Sequence, residues 1–155
     1  MSRFTATCES TAATGGDVVF ANLVAGASAN YKLRRIILGC RAGAVVPTSQ
    51  QLQVEMFRAT ARGFASATEV GERLDPGSHA SQISGLDRTW TVVPTLGSVP
   101  LARFPFNSQS GMDVPAELLE EYICNQGTAN GFAFRNADNV LPANHQLVLT
   151  VEWEE

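Results

Sequence analysis

The chain has no run of positive charge, no closely spaced cysteine pair, no long apolar stretch and no loop with a catalytic signature. Each absence narrows what it can do. Net charge is −4, from 11 Lys and Arg against 15 Asp and Glu. The basic residues are scattered, so the electrostatic footprint of a nucleic-acid binder is missing. Cys8, Cys40 and Cys124 cannot all pair within one chain, and none belongs to a CxxC motif. Reduced, buried, inert thiols in a protein made in the cytosol are expected. Behind Arg3 the opening ten residues hold no apolar run, so no secretory leader is expected. No segment approaches the roughly 18 apolar residues of a membrane span. A soluble protein that engages neither nucleic acid nor membrane follows as the expectation.

The chemical inventory is equally thin. His79 and His145 are far apart and lack ligand-spaced neighbours. They read as a surface residue in a polar loop and a turn residue before the last strand, so neither a metal nor another cofactor is expected. Glu120–Glu121 and the trio Glu152, Glu154, Glu155 are raw material for glycosidase chemistry, yet solvated faces of regular elements explain them more simply. There is no GxSxG elbow, and Gly15–Gly16 is not followed by the spacing of a phosphate-cradling loop. Arg34, Arg35 and Arg41 form a basic cluster that a solvated face or a set of ion pairs accounts for. A non-enzymatic protein is the expectation.

What is present is strand grammar. From His145 to Glu155, Leu147, Leu149, Val151 and Trp153 recur at every second position with Thr150, Glu152 and Glu154 between them, the period of a strand with one buried face. Hiding those four side chains contributes roughly 6 to 12 kcal/mol before the entropy of ordering is subtracted. The fold is therefore expected to close around this terminal strand. Further strands are expected at Arg3–Glu9, Tyr31–Arg41, Gln51–Thr60, Arg88–Pro94 and Phe132–Arg135. In the third of these Leu52, Val54 and Met56 face inward. Asp17–Val24 fits a short helix and a strand equally. Asp113–Cys124 carries an early proline, early acids and Leu118, Leu119, Tyr122 and Ile123 on one face, which predicts a two-turn helix. Asp75-Pro76-Gly77-Ser78 predicts a turn.

Hydrophobic residues make up 45% of the chain and charged residues only 17%, against a usual share of about 25%. Low charge leaves neutral surface for neighbouring subunits. The expected architecture is all-β: a single jelly-roll-like antiparallel β-sandwich domain over residues 1–155, with one or two short helices and a long loop at about 61–87. A segment of that length without its own structure is commonly a binding loop or subunit contact. Candidate interface residues are Arg3 and Phe4 at the head of the first strand, Phe64 in the long loop, and Phe104 and Phe106. The last two flank Pro105 on a segment that its prolines confine to a sheet edge. Ordinary core filling is the competing reading of these aromatics.

A series of segments also resembles a known family. In order these are Phe20-Ala21-Asn22-Leu23, Lys32-Leu33-Arg34-Arg35-Ile36-Ile37, Trp90-Thr91-Val92-Val93-Pro94-Thr95, the stretch Leu141 to Leu149, and Val151-Glu152-Trp153-Glu154-Glu155. The series is similar to that of small virion proteins of tailed bacteriophages, interpreted as capsid decoration or cement proteins. Those proteins place a further strand between the Leu-Val-Leu run and the closing Trp, whereas here the two are fused. The resemblance implies a jelly-roll-like homotrimer, made in the host cytoplasm and resident on the capsid exterior. There it would bind the major capsid protein and hold neighbouring capsomers together. Rival readings are a tail or head–tail accessory protein and a carbohydrate-binding jelly roll with Trp90 or an exposed Tyr31 as stacking platform.

Overall fold

The computed structural model describes residues 1–11, 14–43, 46–117, 119–137 and 140–155, and all its regular elements are strands. In order they are β1 (Arg3–Glu9), β2 (Val18–Val24), β3 (Tyr31–Arg41), β4 (Gln51–Ala61), β5 (Phe64–Glu69), β6 (Glu72–Arg73), β7 (Gly85–Val92), β8 (Thr95–Leu96), β9 (Ala102–Asn107), β10 (Met112–Pro115), β11 (Tyr122–Cys124), β12 (Gly131–Asn136) and β13 (Gln146–Glu154). One sheet runs β10-β3-β13-β1-β6, with β11 also on β3. The other runs β5-β7-β2-β12-β4-β8, with β9 also on β4.

Setting aside β5 to β8 and the short β11, the antiparallel pairs nest: β1 with β13, β2 with β12, β3 with β10, β4 with β9. A hairpin folded in half and wrapped round two sheets produces this pattern, so the all-β sandwich is a jelly roll by topology. β13 lies between β3 and β1. Its alternation is that read from the sequence: Leu147, Leu149, Val151 and Trp153 are fully buried and the residues between them are not. Phe4 stacks on Trp153 with ring centroids 5.8 Å apart. From the opposite sheet Leu52, Val54, Met56, Phe132 and Phe134 complete the core.

Two expectations are corrected. In Asp113–Cys124 no helix forms among the described residues. Its ends become β10 and β11 on the edge of β3, Val114 opposite Ile36 and Tyr122 opposite Leu33. A two-turn helix is marginal in water, whereas the unpaired edge of β3 offers backbone partners, and the ladder continues as Ala116 N–H donates to the Arg34 carbonyl. Leu119 and Ile123, read as part of a buried helical face, are exposed; Leu118 lies outside the described residues. Nor is 61–87 one loop, since β5, β6 and the start of β7 fall within it. β5 is built of small residues with neither face fully buried, so it lacks the hydrophobic alternation by which a strand is recognised. The predicted turn is present, with Ser78 N–H donating to the Asp75 carbonyl. The ambiguous Asp17–Val24 segment is a strand from Val18 onward, with Asp17 in the turn before it.

Between β4 and β9 the chain makes an arm. β4 passes through Arg62 and Gly63 into β5, and β7 passes through Val93 and Pro94 into β8. The two paths pair with each other, Phe64 opposite Val92 and Ala61 opposite Thr95, while β4 also pairs with β12 and β7 with β2. These paths and β2–β12 close a ring of ladders. Val19, Ala59 and Ala133, packed by Trp90 and Leu96, form a second small apolar cluster there. The bend has room only for glycine: Gly63 has φ 74°, and a Cβ on it would lie 2.2 Å from the Val92 carbonyl oxygen.

On the outer side of β4 the buried Glu55 carboxylate accepts hydrogen bonds from Arg103 Nε at 2.9 Å and Arg135 Nε at 3.1 Å. The Arg135 guanidinium also covers the Phe57 ring at 4.7 Å. Burial raises the Glu55 carboxyl, but hydrogen bonds from Arg135 and Arg103 outweigh it and hold the group below the usual carboxylate range.

Two outcomes follow. Leu149→Ala empties a fully buried site in the central strand and should lower the unfolding free energy by roughly 3 to 4 kcal/mol, read as a shift in urea midpoint at unchanged slope. Glu55 has a lower pKa folded than unfolded, so its contribution is in place above the unfolded value and lost as pH falls through the folded one. Glu55→Gln should therefore cost roughly 1 to 2 kcal/mol at neutral pH, and the gap to wild type should close under acid. A gap that stays constant from neutral pH to about pH 3 contradicts the assignment.

Candidate functional site

Strand alternation decides the fate of the five candidate interface residues. Phe104 and Phe106 do lie on an edge strand, β9, but opposite Val54 and Leu52 they point inward and are buried in the core, as is Phe4. These three are corrected to core residues: on an edge strand one face still packs on the opposite sheet. Arg3 is exposed and paired with Asp75 at 3.2 Å. Phe64 is 71% exposed, at the bend of the arm.

Phe64 is not isolated. Directly opposite it Val92 is 53% exposed, and next along the chain Val93 is 61% exposed. Val93 lines a slot of about 230 Å³ together with the apolar Val18, Val19, Phe20 and Trp90 and the polar Glu9, Ser10, Thr11, Thr14 and Thr89. Val18, at the start of β2, is 41% exposed. Thr89, which precedes Trp90, has φ 52°, a left-handed conformation that β-branched residues rarely adopt and that costs about 1 to 3 kcal/mol. Its hydroxyl donates to the Arg88 carbonyl at 2.7 Å and lies 2.8 Å from the Ser66 hydroxyl. The tip of the arm thus combines a protruding ring, a slot and locally strained backbone.

The base of the arm is held by charge. Asp87, fully buried on β7, accepts two hydrogen bonds from the Arg62 guanidinium, at 2.7 and 2.8 Å, and one from the Thr68 hydroxyl at 2.6 Å. Because Arg62 belongs to the two-residue link between β4 and β5, this fork ties the bend to the strand beneath it.

Elsewhere the reactive groups are engaged. His145, read as an ordinary turn residue, is buried. Its Nε2 accepts the Thr48 N–H at 3.2 Å and its Nδ1–H donates to the Ala143 carbonyl at 3.0 Å. It shares a cavity with Cys40, but both ring nitrogens are committed and burial pushes the Cys40 thiol up. This is not the arrangement of an activated nucleophile. Burial pushes Cys8 up to about 12 and also raises Cys124. Arg34 pairs with Glu121 and, at 3.6 Å, with Glu154; Arg35 pairs with Asp113 at 2.6 Å and Glu152 at 3.6 Å. An irregularity in the β3–β13 ladder beside Arg35 accommodates these consecutive arginines. With Arg41 at 3.5 Å from Glu9, the basic cluster is thus a set of ion pairs, as one of its two readings held, and Glu121, Glu152 and Glu154 of the paired acids serve it. Glu155 accepts from Ser81, the Gln82 backbone and the Trp153 indole. Among the described residues no three His, Cys, Asp or Glu side chains gather as a cation cage. Tyr31, weighed as a sugar platform, is buried and donates to the Leu23 carbonyl at 2.6 Å, which removes it from that role.

The sequence signal for the tip was the run Val92-Val93-Pro94, two adjacent apolar residues that no single-faced strand hides together. Arg62→Ala should cost about 2 to 3 kcal/mol, less than the 3 to 5 of a fully buried pair because the guanidinium is one-third exposed. The measurement is urea unfolding. The double variant Arg62→Ala/Asp87→Asn should recover part of the loss, since no buried charge is then left alone. The chain matches no protein-family model and no curated protein.

Proposed function

We propose that this chain works by contact, as a virion structural protein that decorates the outer surface of a phage capsid and stabilises contacts between capsomers. The observation that carries the reading is the apolar tip: Phe64, Val92 and Val93 are exposed on an arm whose base is tied by the Arg62–Asp87 pair, and Val18 at the start of β2 is exposed in the lining of the same slot as Val93. Contiguous exposed apolar residues rimmed by polar ones are the usual mark of a protein-binding surface. The jelly roll supplies a rigid platform for it, and the ordered motif series resembling phage decoration proteins supplies the partner, the major capsid protein. On this reading the molecule assembles as a homotrimer, is made in the host cytoplasm and resides on the capsid exterior. Many copies on one shell would add up weak contacts through multivalency.

The test uses heads of the particle that encodes the chain, stripped of this protein and then given it back. Added protein should bind in hundreds of copies per head and raise the temperature at which the shell loses its DNA. No binding together with unchanged heat resistance rejects the reading. Binding of about a dozen copies or fewer at one vertex moves the assignment to a head–tail accessory role.

A further inference from the structure

One stretch of the arm is fastened unlike the rest of the molecule. From Thr60 to Gln82 no residue is buried. Within that stretch β5 lies at the end of its sheet, beside β7. Phe64 at its start and Val70 just after it are 71% and 74% exposed, and Ala65 and Ala67 have little apolar surface to hide. The side-chain bonds that hold it are polar and run to successive residues of β7. The Thr68 hydroxyl donates to Asp87 at 2.6 Å, Arg88 Nε donates to Glu69 at 2.5 Å, and the Ser66 and Thr89 hydroxyls lie 2.8 Å apart. β7 is seated without help from β5, with Leu86 in the main core and Gly85, Leu86 and Asp87 paired to β2. On either side of the stretch the chain is fixed again. Gly63 is wedged against the Val92 carbonyl, and past Gly71 β6 pairs with β1 while Leu74 N–H donates to the Arg3 carbonyl.

We propose that residues 64–70 are a strap that lifts from β7 as one unit while the jelly roll stays folded, and that the Asp87 carboxylate is its latch. Water can replace polar bonds of this kind, so lifting the segment costs much less than lifting a strand with a buried apolar face. Asp87 holds the strap at both ends, through the Arg62 fork just before it and through the Thr68 hydroxyl near its close. Because one buried carboxylate serves both ends, release at one loosens the other, and the opening is all-or-none. Lifting bares the outer edge of β7, whose backbone groups from Leu86 to Val92 face β5 in the closed form. The closed strap guards that edge, and the open one leaves it receptive to another strand. The device goes beyond the capsid reading and stands or falls independently of it.

Native-state hydrogen exchange of the full chain at low urea concentrations, followed amide by amide, is the test. Amides that bond β5 to β7 should exchange through a single opening of small urea dependence, at least about 100-fold more often than the amides of β13. Leu149→Ala should lower β13 protection by roughly 100- to 1,000-fold and leave the strap amides unchanged, because the core is equally intact with the strap up or down. Ile36→Val, a milder change at another buried core position, should give the same contrast on a smaller scale. Arg62→Ala should speed exchange of the strap by roughly 30- to 150-fold, by the same factor at Ala65 and at Glu69. Strap amides that exchange only with global unfolding, or that quicken in the core variants, overturn the inference. A rise in Arg62→Ala confined to the Phe64 end is ordinary fraying and overturns it as well.

Discussion

The fold depends on one strand being held from both sides. β13 takes β1 along one edge and β3 along the other, and its inward residues fill the space between the sheets. Because side chains alternate, a slip of one residue would turn Leu149 and Trp153 to water and drive Glu152 and Glu154 into the core. The outer face reinforces the register, with Thr150 bonded to Thr7 at 2.8 Å and Glu152 and Glu154 meeting Arg35 and Arg34. The end of the strand also organises what lies below it. Trp153 packs so closely on Gly71 that a Cβ there would sit 2.4 Å from the ring, and Glu155 ties down Ser81 and Gln82. A segment of little intrinsic structure is thereby fixed by the terminal strand.

The arm departs from the minimal jelly roll. Extending two adjacent strands beyond the sandwich would leave a two-stranded ribbon, which is marginal in water. Here the ribbon gains stability by pairing back on β2 and β4 and by enclosing its own small cluster under Trp90 and Leu96. That cluster is too small to cover every apolar side chain the ribbon carries. Three of the uncovered ones, Phe64, Val92 and Val93, lie at the bend that closes the ring. Exposure at the tip is thus a geometric consequence of closing the arm, and the Arg62–Asp87 fork keeps it closed.

Legibility in the sequence followed the number of buried faces. β13 has one clean apolar face over its nine residues, and in β4 the alternation of Leu52, Val54 and Met56 gave the orientation directly, although Glu55 and Phe57 on its other side are buried as well. β5 offers Ala65, Ser66, Ala67 and Thr68, which bury little on either side, so its pairing with β7 leaves no periodic trace. Asp113–Cys124 misled for the opposite reason: its local preferences are helical, and only the unsatisfied edge of β3, a long-range feature, overrides them. Phe104 and Phe106 illustrate the limit for the candidate site. An aromatic on an edge strand can face either way, and the register against Leu52 and Val54 that decides it is invisible in the chain alone. Phe64 is a candidate interface residue with core filling as the competing reading, and nothing in the chain alone decides between them; its neighbours Val18 and Val93 come from segments that meet only after the arm has folded back.

The open edges of both sheets are guarded. An open sheet edge invites another strand, and proteins blunt that hazard with proline, short strands or irregular pairing. β9 carries Pro105 and β10 carries Pro115, neither of which can donate to an added strand, and β6 is only two residues long. β5 is interrupted by the register shift between Phe64 and Ala65. Backbone-mediated joining is therefore obstructed along the sandwich, and joining through charge is weakened because Arg34, Arg35, Arg62 and Arg135 already have acidic partners. Exposed apolar side chains are left uncommitted by either kind of contact, and Phe64, Val92 and Val93 bring three of them close together at the bend of the arm. A molecule built this way resists fusing edge to edge even when copies of it lie close together.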